Sequence, residues 1–255
     1  MVQRGRAPVA WGKAGRSRDA VKSGIQFPLG ADAAACRPCR DENPCPRPTR
    51  TRAVRRPKNG FTYPQLNRDI LAVAEAAGFA RSVVVGFSGG CKNAVWLAVE
   101  QPDRVLGLVL VAPPGLSTVP LPPDMVAKVF DSLEHDGDLP GDFDPWFTGK
   151  IGARRADVIG AMAATPRAVL EASAELWIHT SVVEQASRTT HPIVVVAGAR
   201  EPVYHPEFQR QTTLATLPHA KMELFDCAHF IPCEEPGSLA TLVSRFLAML
   251  GSRQT

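Results

Sequence analysis

Gly86-Phe-Ser88-Gly89-Gly90 is the segment of this 255-residue chain best suited to chemistry. A Gly-x-Ser-x-Gly run between an apolar strand and a helix sets the serine on a strained turn, with its hydroxyl pushed out above the sheet. Side chains at the flanking glycine positions would clash with neighbouring backbone. The same turn puts Ser88 at a helix N-terminus, where the Gly89 N–H can stabilise a developing oxyanion. A serine hydroxyl needs a base to take its proton and a carboxylate to orient that base. His229, in Leu224-Phe-Asp-Cys-Ala-His229-Phe-Ile-Pro, is the only histidine lying after a strand-like run and before the long C-terminal helical stretch. Glu201, in Val196-Ala-Gly-Ala-Arg-Glu201-Pro, follows another apolar run directly. Asp226 is the rival acid, although three residues from His229 its more natural task is to shape the loop. Ser88, Glu201 and His229 in that chain order point to nucleophilic acyl transfer.

The elements that must hold these residues are legible as alternating patterns. LNRDILAVAEAAG places Leu66, Ile70, Val73 and Ala77 at helical spacing, with Gly78 as a stop. Short apolar runs at residues 81–86, 105–111 and 192–197, and a weaker one at 222–225, read as buried parallel strands. Residues 91–100, 206–217 and 237–250 read as the helices between and after them. Alternating strand and helix predict an α/β fold, a mainly parallel sheet flanked by helices. From residue 116 to 190 the strand pattern stops, and helical stretches at 124–134, 155–163 and 167–177 predict a helical cap inserted into the core. The cap carries Met125, Phe130, Trp146, Phe147 and Trp177, which either line an apolar pocket with Phe87 or pack the cap onto the core.

With these motifs in place, residues 58–255 resemble the α/β-hydrolase superfamily, in its capped, esterase- and lipase-like group. GFSGG resembles that family's nucleophile turn. GAREP resembles its acid loop with Glu201 in place of Asp, and CAHFIPCEEP resembles its histidine loop, with Ala228 where Gly is common. The resemblance implies Ser88 as nucleophile, His229 as acid/base, Glu201 as its orienter and Gly89 as one oxyanion donor. It also implies a small-molecule ester or acyl substrate and chemistry that needs neither metal nor cofactor. The family's leading strands are expected to be missing, and no His-Gly oxyanion loop can precede Ser88, because all six histidines follow it.

The N-terminal part differs in kind. Residues 1–60 hold 14 Lys/Arg against four acids, whereas the rest of the chain holds 15 against 21. Between residues 31 and 57 stand seven Arg, five Pro and three Cys, with Val54 the sole large apolar residue, so the segment 1–57 is expected to be disordered. Its composition is that of a shifted reading frame in GC-rich DNA, which the coding sequence upstream of Lys58 would test. Cys36, Cys39 and Cys45 would give zinc three of the four ligands it needs, but no second Cys-x-x-Cys or nearby His supplies the fourth, so no metal site is expected. The Arg-rich run lacks the aromatic residues and motifs of a nucleic-acid binder, and its Pro and Cys content is unusual for a transit peptide. No apolar run is long enough for a membrane span or secretory signal, and six scattered cysteines point to a reducing, cytoplasmic setting. The division expected is a basic segment (1–57), core (58–115), cap (116–190) and core (191–255). A serine hydrolase is one reading. The other is a catalytically impaired relative whose basic arm binds an acidic partner.

Overall fold

The computed structural model describes residues 25–26 and 61–252. The expectations for the basic segment, including Cys36, Cys39 and Cys45, otherwise lie outside the described residues. Val-rich runs become β2 (Ser82–Phe87), β3 (Val105–Val111) and β4 (Ile193–Gly198), and the weaker run becomes β5 (Lys221–Phe225), all paired parallel in chain order. β1 (Ile25–Gln26) adds a two-residue parallel strand beside β2, with Ile25 opposite Val84. β3 and β4 are buried along their whole length. A strand covered on both faces needs apolar side chains at every position, hence VLGLVLV and IVVVAG rather than alternation. β5 instead exposes Lys221 and Glu223, charges that discourage a further strand from pairing there.

Helices cover the two faces. α1 (Tyr63–Ala76) starts at Thr62, whose hydroxyl accepts from the Gln65 N–H, and Gly78, at φ +76°, follows its end. α1 and α2 (Gly90–Glu100) pack Ile70, Ala94, Val95 and Leu97 onto Val84, Leu108, Leu110 and Val195. On the opposite face α10 (Pro236–Gly251) buries Leu242, Phe246 and Leu250 against Val83, Val109, Val111 and Val196. Gly107 of β3 leaves the room that Phe246 fills, since a Cβ there would lie 2.9 Å from its ring.

Between β3 and β4 the chain forms α3 (Pro123–His135), α4 (Arg154–Ala163), α5 (Arg167–His179) and α6 (Val183–Arg188). Phe130, Leu133, Leu139, Ile159, Ala174 and Ile178 make a core of their own. Phe130 thus packs within this segment. α6 and the short 3₁₀ turns at Gly141–Trp146 and Gly149–Ile151 escape the sequence pattern because none is long enough to establish a period.

After β4 the single helix expected at 206–217 is two, α7 (Pro206–Gln211) and α8 (Thr213–Thr216). Thr212 interrupts them at φ −117°, ψ −74°, its hydroxyl bonded back to the Phe208 carbonyl at 2.7 Å. Back-bonding of this kind competes with the helical ladder. A short α9 (Ile231–Glu234) follows β5. Among the described residues no helix is long and apolar enough to cross a membrane.

Parallel pairing puts the loops after β2, β4 and β5 at one edge of the sheet. The close approach of two of them is visible at Gly198, where a Cβ would lie 2.3 Å from the Ala228 carbonyl oxygen and 2.5 Å from that of Cys227. Both obstacles are backbone and cannot rotate away. Gly198→Ala is therefore expected to cost about 1–3 kcal/mol or more of unfolding free energy. Urea denaturation followed by circular dichroism measures it, and an unchanged midpoint would refute this packing.

Candidate active site

Ser88 directly follows β2 in the left-handed region, at φ +50°, which a non-glycine residue adopts at a cost of about 1–2 kcal/mol. Its backbone holds it there: the Ser88 N–H donates to the Val111 carbonyl at 2.8 Å, and its own carbonyl accepts from Cys91 N–H at 2.9 Å. Gly86 is required by the same turn. A Cβ there would stand 2.8 Å from both the Cys91 Cα and the Gly90 carbonyl oxygen. The chain thus passes from β2 directly into α2, with Gly89 as N-cap and the first N–H groups of the helix lacking intrahelical partners.

His229 sits four residues past β5, in a loop tied down on both sides. Its N–H donates to the Trp146 carbonyl at 3.1 Å, and its carbonyl accepts from Ile231 N–H at 2.8 Å. His229 is 4% exposed, yet both ring nitrogens have partners. Nδ1 lies 2.8 Å from Glu201 Oε2, and Nε2 lies 3.1 Å from Ser88 Oγ. A carboxylate only accepts, so Nδ1 carries the proton and Nε2 presents its lone pair to the serine hydroxyl.

Glu201 follows β4 after a tight turn closed by its N–H on the Gly198 carbonyl at 3.3 Å. Its side chain is wholly buried against His229. Its second oxygen accepts from Tyr204 N–H at 3.5 Å, the long end of hydrogen bonding. Asp226 goes elsewhere. Its carboxylate is exposed and grips Arg200 in a two-point pair at 2.7 and 3.0 Å, with Lys150 at 3.5 Å. Those cations hold its pKa below the ordinary carboxylate value.

The aromatic residues expected near the site divide. The Phe87 ring is 5.2 Å from the His229 ring, and Trp146 meets that ring edge-on at 4.8 Å. Trp177 of α5 presses on Gly89, where a Cβ would come within 2.7 Å of its Cγ. Phe147 instead stacks on Phe230 at 4.5 Å, under the Arg155 guanidinium.

Three further residues here are not marked out by the sequence pattern. Tyr204 is buried with its ring 5.8 Å from that of His229, and burial raises its phenol pKa. Glu234, also buried, accepts from Ala228 N–H at 3.2 Å and from both the hydroxyl and the N–H of Thr148. It thereby links the histidine loop to the strap that carries Trp146. The third, Lys92, is a fully buried cation on α2. Its only sequence signal is a charge in the otherwise uncharged stretch from Gly90 to Val99.

Residues 46–136 match the sequence model of the alpha/beta hydrolase fold family. Among solved structures the chain is similar to a hydrolase from Pseudomonas aeruginosa PA01, with 23% identity, a TM-score of 0.62, and 75% of this chain and 74% of that one covered. It is also similar to the enol-lactonase from Burkholderia xenovorans LB400, with 20% identity, a TM-score of 0.63 and 75% of each chain covered. Naproxen esterase from Bacillus subtilis shares 18% identity at a TM-score of 0.59, over 74% of this chain and 67% of that one. No curated protein sequence matches the chain.

Removing the Glu234 carboxylate strands the Ala228 and Thr148 donors together. Glu234→Ala is expected to lower unfolding free energy by about 2–4 kcal/mol, given charge-assisted bonds of about 1.5–3 kcal/mol each and incomplete additivity. Thr148→Val, which removes one hydroxyl, should cost about 1–2 kcal/mol. Equal losses in chemical denaturation would mean that Glu234 does not hold the histidine loop.

Proposed function

We propose that this protein, a chain with the α/β-hydrolase fold, is a serine hydrolase that cleaves a carboxylic ester or related acyl bond. The observation that carries the reading is the continuous buried chain Glu201–His229–Ser88, with contacts of 2.8 and 3.1 Å. In this reading Ser88 Oγ attacks the acyl carbon while its proton passes to His229 Nε2. The carbonyl oxygen becomes an oxyanion beside the Gly89 N–H. Collapse of the tetrahedral species breaks the bond to the alcohol, which leaves with the proton from His229. Water then attacks the acyl-serine, giving a proton to the same nitrogen, and release of the acid returns that proton to Ser88. Glu201 keeps His229 in the tautomer that accepts at Nε2 and stabilises the imidazolium that forms. An oxyanion donor of this kind contributes about 2.7–4 kcal/mol to the transition state.

Phe87, Trp146 and Trp177 surround this chemistry with apolar rings, which suits an uncharged acyl group. A lactone is an internal ester and fits the same machinery. Both resembled enzymes whose substrates are named, an enol-lactonase and an esterase, favour an ester-type bond. Cys91 and Cys227 are buried thiols, in keeping with a reducing, cytoplasmic setting. The helices at 123–188 act as the cap.

Ser88→Ala is expected to reduce hydrolysis of p-nitrophenyl butyrate by about 10³-fold or more with the fold intact. Glu201→Gln should lower kcat by about 10²–10⁴-fold, and Asp226→Asn should stay near wild type because its partners are Arg200 and Lys150. A fluorophosphonate probe should label wild type and not Ser88→Ala. An unlabelled, folded wild-type protein would favour the impaired relative over the enzyme. Collapse of activity in Asp226→Asn alone would move the acid role to Asp226.

A further inference from the structure

Lys92 is fully buried, and among the described residues no carboxylate answers its charge. Its Nζ instead donates to three backbone carbonyls: Ser117 at 2.5 Å, Trp177 at 2.6 Å and Thr180 at 3.0 Å. An ammonium has three N–H donors and no acceptor, so the site uses its whole capacity. Burial lowers the amine's pKa from 10.5 to about 8, which leaves it mostly charged at neutral pH.

The three carbonyls mark one place in the fold. Ser117 lies midway between β3 and α3, on the chain leaving the core. Trp177 is in the last turn of α5 and Thr180 is its C-cap, where helix carbonyls lack intrahelical donors and a cation complements the dipole. The outgoing and returning chains also bond to each other, Val119 N–H to the Ile178 carbonyl at 2.8 Å and Val182 N–H to that of Leu116 at 2.7 Å. Lys92 therefore reaches from one helical turn past Ser88 into the neck through which the cap joins the core. The residue whose carbonyl it holds, Trp177, is the one whose ring rests on Gly89.

We propose that Lys92 is a positioning residue that pins the neck of the cap to the nucleophile helix and so sets how closely Trp177 stands over Gly89 and the acyl site. The proposal deepens the serine hydrolase reading and rests on it. Lys92 touches no reacting atom. Its effect passes through Trp177, and with it the room left for the acyl chain.

Lys92→Met keeps the length of the side chain and removes all three bonds. The test compares wild type, Lys92→Met and Trp177→Leu on p-nitrophenyl esters from acetate to octanoate at pH 7. Acrylamide quenching of Trp177 is followed in parallel in the Ser88→Ala background, isolated by subtracting the Trp177→Phe counterpart. In Lys92→Met the octanoate-to-acetate ratio of kcat/KM is expected to rise about fivefold, chiefly through KM, with Trp177→Leu moving it the same way. Quenching of Trp177 should increase about twofold. A merely structural role would lower stability without changing the chain-length ratio. Should circular dichroism show Lys92→Met unfolded, Lys92→Gln, which retains two donors on a shorter arm, takes its place with a smaller change expected in the same direction. A folded variant with the wild-type ratio and wild-type quenching overturns the proposal. If wild type neither hydrolyses esters nor reacts with a fluorophosphonate, the hydrolase reading fails. The quenching arm, which needs no turnover, then decides the Lys92 tie alone.

Discussion

Burying an imidazole with both nitrogens satisfied is the constraint around which this end of the molecule is arranged. His229 is almost inaccessible to solvent, so each ring nitrogen needs a protein partner. The partners lie 28 and 141 residues away, on Glu201 and Ser88. No local structure can bring such residues together. A parallel sheet can, because every strand ends at the same edge, and β2, β4 and β5 each deliver one of the three. The geometry tolerates little slack: Gly198 and the backbone of residues 227–228 approach so closely that a methyl group has no place between them.

The helical segment between β3 and β4 completes the enclosure, and buried polar contacts rather than apolar packing alone tie it down. Glu234 holds Thr148 and, with it, the strap that lays Trp146 on the imidazole. Lys92 holds the two chains at the neck. A lone buried ion is costly, and each of these is stabilised only by a full set of hydrogen bonds of specific direction. Such groups define one arrangement of the segment over the core, whereas the apolar cluster around Phe130 and Ile159 would tolerate small shifts. The exposed ion pairs nearby, such as Arg167 with Asp131, Glu134 and Glu171, add little by comparison.

Much of this was legible in the residues. The runs around Val84, Leu108 and Val195 are continuous because their strands are covered on both faces, and that pattern survives in one dimension. The turn at Ser88 announces itself because only glycine fits at Gly86, and residue types that backbone clashes dictate are visible without coordinates. The 3₁₀ turns around Trp146, helix α6 and the break at Thr212 were not legible, since each depends on a few hydrogen bonds rather than on a repeating pattern.

The chain by itself therefore determined the order of strands and helices, the strained serine turn, and which histidine and acids could approach it. Tertiary structure alone decided which acid does so. Glu201 and Asp226 are alike in chemistry and similarly close to strand ends, but the first turns inward beside Gly198 and is shut off from water. The second meets Arg200 and Lys150 at the surface. Tertiary structure also decided that Phe147 pairs with Phe230 while Trp146 and Trp177 face the site, and that Lys92 is buried at a neck rather than solvated on a helix. The physical reason is common to all of them. The direction of a side chain follows from partners distant in the chain, and those partners are not written in its own neighbourhood.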